Sequence, residues 1–254
     1  MKYIEYGKNN EEIIILLHGG GLSWWNYKEI AEQLQDTYHV ILPILDGHSG
    51  SDRNFTTIEE NATEIITFIN EKFNGHILCI GGLSLGAQIL IEILSKEENI
   101  CDYAIIESAL VIPMKMTYKL IRPTFSLSYG LISKKWFSKL QFKSLKIKKE
   151  LFDYYYKDTC NIKKKDMIKF LEESSNYCIK NSLQDTNSRV LIIVGDKEKS
   201  IMKKSAILIN EIIPNSEIEV IPNYCHGDLS INHPDEYIEL FNKLLEDNSK
   251  KLIR

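Results

Sequence analysis

One serine of this sequence lies in the pentapeptide Gly82-Leu83-Ser84-Leu85-Gly86. The strand-like run HILCIG precedes it, and a helical spacing of apolar residues from Ala87 onward follows it. A Gly-x-Ser-x-Gly segment between a strand and a helix is typical of a nucleophile elbow, a tight turn that strains the serine and has no room for side chains at its glycines. The chemistry this predicts is attack of the Ser84 hydroxyl on a carbonyl carbon.

A serine hydroxyl needs an imidazole to accept its proton and a carboxylate to orient that imidazole. His226 lies in IPNYCHGD, shortly after an apolar strand-like run. The segment LIIVGDKE supplies two carboxylates, Asp196 and Glu198, after an earlier run of the same kind. The resulting chain order of serine, acid and histidine differs from the orders found in chymotrypsin-type and subtilisin-type enzymes.

The elements that must position these residues are short buried strands alternating with helices. Six apolar runs are predicted to be strands: Ile13–Leu17, Val40–Leu42, Ile77–Ile80, Tyr103–Ile106, Val190–Val194 and Ile218–Ile221. A helix is predicted from Ile58 to Phe73, with Thr56 and Glu59 as its capping box. The alternation predicts an α/β fold with a mostly parallel central sheet flanked by helices. Ligands of such folds bind at the carboxyl ends of the strands, where the loops bearing Ser84 and His226 begin.

The composition excludes several classes of protein. The chain has 254 residues, 44% of them hydrophobic, and a net charge of -4, so neither a disordered chain nor a dedicated nucleic-acid binder is expected. The N-terminal region has no apolar run of signal-peptide or membrane-spanning length, which predicts a cytoplasmic protein without an integral membrane segment. The five cysteines show neither disulfide nor metal-site spacing, so reduced thiols and no metal are expected.

Residues 113–187 interrupt the alternation with helical and aromatic character and no convincing buried strand. This segment contains 16 Lys and Arg against 7 Asp and Glu, a net charge of +9, whereas the remainder of the chain carries -13. It also contains 12 of the 25 aromatic residues. We therefore expect an insertion, residues 113–187, in a core made of residues 1–112 and 188–254.

Four motifs in order make the chain resemble the α/β-hydrolases over nearly its whole length. LLHGGGLSWWNY, from Leu16 to Tyr27, resembles the His-Gly oxyanion loop of that family. LDGHSGSD, from Leu45 to Asp52, resembles a structural turn of the family but lacks its proline and shifts a glycine. GLSLGAQ is the elbow, and VGDKEKS followed by CHGD supplies the acid and the base.

The resemblance implies roles for particular residues. The family's acid usually stands three residues after the glycine that ends its strand, which from Gly195 gives Glu198, with Asp196 as the second choice. The backbone N–H groups of Gly20 and Leu85 correspond to the oxyanion hole, and Gly21 could assist. An insertion at residues 113–187 corresponds to a helical cap, whose aromatics either line an acyl pocket or fill the cap's own core.

The function implied is that of a carboxylesterase-like serine hydrolase, which forms an acyl-enzyme on Ser84 from a small or medium hydrophobic ester. His226 would transfer the proton and Glu198 would orient His226, with no cofactor and a small molecule as the partner. The fold also serves acyltransferases, C–C hydrolases and lyases, and a ligand-binding signalling protein is a further alternative. The sequence predicts neither the natural substrate nor the oligomeric state.

Overall fold

Seven β-strands form one sheet in the computed structural model, which describes residues 1–249. The strands are β1 Lys2–Tyr6, β2 Ile13–Leu17, β3 His39–Ile44, β4 Ile77–Leu83, β5 Cys101–Glu107, β6 Arg189–Gly195 and β7 Ser216–Ile221. Their order across the sheet is β1-β3-β2-β4-β5-β6-β7, and only β1 is antiparallel to its neighbour. The predicted α/β class with a mostly parallel sheet is confirmed.

The apolar runs form strands because both faces of the sheet are covered. In β2, Ile13, Ile15 and Leu17 enter one apolar cluster, while Ile14 and Leu16 enter a second cluster on the opposite face. Successive side chains of a strand point to opposite faces, so a strand buried on both sides must be apolar at every position. The two clusters fix the sheet from which the loops of the candidate site extend.

Ten α-helices are described. They are α1 Lys28–Leu34, α2 Ile58–Phe73, α3 Leu85–Lys96, α4 Lys115–Ser128, α5 Lys135–Ser144, α6 Phe152–Asn161, α7 Lys164–Asn176, α8 Ser200–Ile212, α9 Asp228–Asn232 and α10 Pro234–Ser249. Helix α2 has the predicted bounds, but its cap lies one residue later. Thr57, not Thr56, precedes the first turn, and its side chain accepts the N–H of Glu60 at 3.0 Å.

Between β5 and β6 the chain forms helices α4 to α7 and short 3-10 turns. Several aromatics of this segment pack on one another: Phe142 lies 5.2 Å from both Phe152 and Tyr155, and Phe152 stacks on Tyr156. These side chains therefore form a small core inside the segment. No helix within residues 1–249 has the length and apolarity needed to cross a membrane.

Candidate active site

Ser84 stands in a strained turn between β4 and α3. Its φ of 53° and ψ of -107° lie outside the regions that residues other than glycine ordinarily adopt. A Cβ on Gly82 would lie 2.6 Å from the backbone of Gly86, and a Cβ on Gly86 would lie 2.1 Å from the carbonyl oxygen of Leu17. The two glycines are required because the turn packs directly against its own backbone and against β2.

Hydrogen bonds at both ends fix the turn. The Ser84 N–H donates to the carbonyl of Glu107 at the end of the adjacent strand β5, at 2.9 Å. The Ser84 carbonyl accepts the Gln88 N–H at 3.0 Å in the first turn of α3, a helix with ten buried residues. The hydroxyl is thus presented at the carboxyl edge of the sheet by two rigid elements.

The imidazole of His226 contacts both Ser84 and Glu198. Its Nε2 lies 3.0 Å from Ser84 Oγ, and its Nδ1 lies 2.9 Å from Glu198 Oε2. An ionised carboxylate can only accept, so Nδ1 carries the proton in this contact and Nε2 is left to accept from the serine hydroxyl. This is the tautomer that a general base for Ser84 requires.

The carboxylate of Glu198 is enclosed by donors. Besides His226, its Oε1 accepts the Ser108 hydroxyl at 2.8 Å and the Gly195 N–H at 2.9 Å. Burial by itself raises the pKa of Glu198, but the bonds from His226, Gly195 and Ser108 outweigh it, so the pKa lies below its ordinary value. The carboxylate is therefore charged at neutral pH.

Ser108 is a contributor that the sequence analysis missed. It directly follows β5, has a φ of 54°, and donates to a residue 90 positions away in the chain. Its Oγ also accepts the Gly227 N–H at 3.4 Å, which ties the loop of His226 to the acid. The one available signal was a hydroxyl residue immediately after a buried strand.

The structure places Asp196 away from His226. Its Oδ1 accepts the Asn223 N–H at 2.6 Å, and its Oδ2 lies 3.7 Å from Lys197 Nζ at the surface. Asp196 thus braces the turn after β7, and its carboxylate makes no contact with the imidazole. Of the two acids found in the sequence, Glu198 is the one brought to His226.

The loop after β2 brings Gly20 next to Leu85. A Cβ on Gly20 would lie 3.6 Å from Leu85 Cβ. Neither the Gly20 N–H nor the Leu85 N–H donates to another protein group among the described residues, so both are free to bind an oxyanion beside Ser84. The Leu85 N–H also starts helix α3, whose dipole favours negative charge at that end.

His48 holds the Gly20 loop in place through a hydrogen bond. Its Nε2 accepts the Gly21 N–H at 3.0 Å, and its Nδ1–H donates to the carbonyl of Asp46 at 3.0 Å. Burial lowers the pKa of His48 to about 4, so it stays neutral and can act as an acceptor. Because Gly21 already donates to His48, it is not available to assist Gly20.

A residue of the segment 113–187 also touches this loop. The ring of Phe170 in α7 stacks on His48, with ring centroids 4.7 Å apart, and lies 3.3 Å from where a Cβ of Gly20 would be. The position of α7 is therefore coupled by direct packing to the loop that presents the Gly20 N–H.

A cavity of about 160 Å³ opens in front of Ser84 and His226. Its apolar walls are Leu22, Leu83, Leu145, Ile147 and Ile231. No Phe, Tyr or Trp lines this cavity, so the aromatics of residues 113–187 do not form its walls. A larger depression, of about 760 Å³, lies between α7 and the loop at Phe55 and includes none of the three residues Ser84, His226 and Glu198.

No group of three His, Cys, Asp or Glu side chains within residues 1–249 could hold a metal ion.

A buried carboxylate does lie near the candidate site. Glu107, the last residue of β5, accepts the Ser230 N–H at 3.3 Å, and burial raises its pKa to about 7. The sequence analysis gave it no role.

The chain is similar in sequence and in fold to several known proteins. The chain is 26% identical over 238 residues to Lipase 3 of Moraxella sp. (strain TA144), covering 89% of this chain and 75% of that protein. A thermophilic esterase from Thermogutta terrifontis has a similar structure, with a TM-score of 0.79, 17% identity, and coverage of 97% of this chain and 93% of that one. A bromoperoxidase from Bacillus anthracis gives a TM-score of 0.80 at 17% identity, covering 96% and 94%. The likeness to these two structures shows the fold alone.

The sequence model of the family described as serine aminopeptidase, S33 matches residues 8–230, from the loop after β1 to helix α9. This span includes Ser84, Glu198 and His226. The chain therefore belongs to this family of α/β-hydrolases.

Proposed function

We propose that this protein is a serine hydrolase that cleaves short-chain hydrophobic esters through an acyl-enzyme on Ser84. The observation that carries the proposal is the continuous set of hydrogen bonds from Ser84 Oγ through His226 to Glu198. Its members come from loops after three different strands, and a purely structural turn at β4 would not require them to meet. The likeness to lipases and esterases supports the same class of reaction.

In the proposed reaction, Ser84 Oγ attacks the ester carbonyl carbon while its proton passes to His226 Nε2. Glu198 stabilises the imidazolium that forms, and the Gly20 and Leu85 N–H groups bind the oxyanion of the tetrahedral intermediate. The intermediate collapses when the C–O bond to the alcohol breaks, and the departing oxygen takes the proton from Nε2. Water then repeats the attack with His226 as base, which releases the acid and restores Ser84.

The size and lining of the cavity support a short acyl group. Its volume of about 160 Å³ is below the range of roughly 300–1,000 Å³ usual for ligand pockets. The aliphatic walls favour an apolar chain and offer no charged partner to a carboxylate or amine on the substrate.

We also propose that residues 113–187 act as the cap of the site. Leu145 and Ile147, from the segment after α5, form one wall of the cavity, while the other lining residues lie in the core. Helix α7 contacts the oxyanion loop through Phe170. Leu145 and Ile147 can therefore limit the length of the acyl chain, and Phe170 links the segment to the loop that bears Gly20.

The test combines covalent labelling with turnover. A fluorophosphonate probe should label the wild-type protein and Ser200→Ala, a change at an exposed serine, but not Ser84→Ala. Wild type should hydrolyse p-nitrophenyl butyrate with a larger kcat/KM than p-nitrophenyl palmitate. Equal labelling of wild type and Ser84→Ala would show that the nucleophile is assigned wrongly, and labelling without turnover of any ester would point to a non-hydrolytic role.

A further inference from the structure

One part of the cap has an extreme charge distribution. From Ser108 to Lys149 the sequence contains ten Lys and Arg and no Asp or Glu. Only two of the ten form ion pairs in the described residues: Arg122 with Glu172, and Lys148 with Glu29. The rest of this stretch is a cationic surface that the protein itself does not neutralise.

Helix α4 carries apolar side chains on its solvent side. Met116, Leu120 and Leu127 are 71%, 56% and 89% exposed, and they fall within about 40° of one another at about 100° per residue. The buried side of the helix is marked by Ile121, which is 7% exposed. The solvent side of a surface helix ordinarily carries polar residues. This side of α4 is apolar, and nothing in the described chain covers it.

Helix α5 repeats the arrangement. Trp136 and Leu140 are 63% and 62% exposed and lie one turn apart on the same side. Phe142 and Ser138 mark the buried side. Lys139 and Lys143, both exposed, lie beside the Trp136–Leu140 stripe. Tryptophan, leucine and lysine on one helix face are typical of helices that lie in a lipid–water interface.

We propose that the exposed stripes of α4 and α5, together called here the cationic apolar face, dock the protein onto an anionic lipid bilayer. Each lysine near such a surface attracts acidic lipid headgroups, while the exposed leucines and Trp136 enter the headgroup and acyl boundary. A second copy of the chain is a poorer occupant, because a symmetric contact would bring two faces of like charge together. Nucleic acid would use the positive charge but would leave the aliphatic stripe of α4 in water.

The position of Leu145 connects this face to the candidate active site. Leu145 directly follows α5, is 47% exposed, and also lines the cavity in front of Ser84. At about 100° per residue, Leu145 lies about 180° from Trp136 around the helix, so it borders the exposed stripe of α5 at the end of the helix and does not belong to it.

The test measures binding to vesicles of phosphatidylcholine with and without 30% phosphatidylglycerol, on the order of a physiological anionic fraction. Wild type should bind the anionic vesicles, less tightly as salt increases, and should bind the neutral vesicles weakly. At about fivefold per lysine, the pair Lys139→Gln and Lys143→Gln should weaken binding to anionic vesicles by about 25-fold. The matched pair Lys72→Gln and Lys204→Gln, exposed lysines of the core, should change it by less than about twofold.

A second readout reports insertion of the apolar stripe. Tryptophan emission should shift to shorter wavelength on binding to anionic vesicles. This shift should be lost in Trp136→Phe, since Trp25 is already buried and Trp24 packs against Tyr154, away from α4 and α5 in the sequence. Equal binding to neutral vesicles, equal loss in the control pair, or a shift that persists in Trp136→Phe would overturn the proposal. So would a dimer in sedimentation that dissociates on Trp136→Glu, because the face would then be an interface between copies.

Vesicle binding does not depend on the proposed chemistry. Ser84→Ala should bind anionic vesicles as tightly as the wild type does. Failure of docking is therefore distinguishable from failure of the hydrolase assignment.

Discussion

The replacement Glu198→Gln separates the two acids that follow β6. The substitution keeps the oxygen that accepts the Ser108 hydroxyl and the Gly195 N–H. It puts an amide N–H₂ group opposite His226 Nδ1, where two donors would meet. The conflict is removed when the imidazole proton moves from Nδ1 to Nε2. Nε2, which lies 3.0 Å from Ser84 Oγ, can then no longer accept the hydroxyl proton.

The expected loss is large because the wrong tautomer removes the base without disturbing the site. An acid-to-amide change of this kind lowers kcat by about 10⁴-fold, which corresponds to about 5.5 kcal/mol of transition-state stabilisation. Asp196→Asn is the matched control. Its remaining side-chain oxygen can still accept the Asn223 N–H, so kcat should stay within about threefold of wild type.

The assay is steady-state hydrolysis of p-nitrophenyl butyrate by the wild type and both variants, with thermal unfolding measured in parallel. Glu198→Gln should unfold within a few degrees of wild type, because the bonds from Ser108 and Gly195 remain and the new amide N–H can donate to the deprotonated Nδ1 of His226. A Glu198→Gln enzyme with nearly full kcat, or an equal loss in Asp196→Asn, would refute the assignment of Glu198 and the tautomer argument with it.

Two further predictions concern buried groups around the site. Glu107 has a folded-state pKa of about 7 against an ordinary value of 4.5, because burial disfavours its charged form. Its contribution to stability is thus present below pH 4.5 and is lost as pH rises through 7. Relative to Glu107→Gln, the wild type should lose about 3 kcal/mol of unfolding free energy between pH 4 and 8 in urea titrations, and a constant difference would contradict this. His48→Phe preserves the ring beside Phe170 but leaves the Gly21 N–H without its acceptor. We expect kcat to fall by roughly 5- to 30-fold at about 1–2 kcal/mol, with KM little changed, and an unchanged kcat would show that His48 does not position the oxyanion loop.

The buried strands could be predicted because the sheet is covered on both faces. Each run such as Ile13–Leu17 is apolar at every position, which is distinctive in a single sequence. Strand β1, Lys2–Tyr6, was missed because it pairs on one edge only and is partly exposed, so its residues mix charged and apolar types. The helix cap at Thr57 was placed one residue early because Thr56 and Thr57 both satisfy the local pattern, and only the backbone conformation distinguishes them.

The candidate site could be predicted where its residues lie in short local patterns. The glycines around Ser84 are dictated by contacts within five residues and with one neighbouring strand, so the pentapeptide identifies the turn. Ser108 acts across 90 positions of the chain, through hydrogen bonds to Glu198 and Gly227 that other hydroxyl residues could also make. Such contacts leave no pattern in one sequence, because they depend on the register of the sheet and on loop geometry.

Residues 113–187 and the rest of the chain carry opposite net charges, which bears on how docking would orient the molecule. Residues 113–187 carry a net charge of +9 and the remainder -13, so an anionic bilayer attracts the first and repels the second. In the proposed docking, the same field would orient the molecule with residues 113–187 toward the lipid. The strain at Ser84 is supported by β4, β5 and α3, all part of the core. Residues 113–187 also contact the loop of His226, because Lys146 Nζ lies 3.0 Å from Cys225 Sγ and the Asn232 amide donates to the Lys146 carbonyl at 3.0 Å. Docking of this segment would therefore act on the loop that holds His226, while Ser84 stays held by the core.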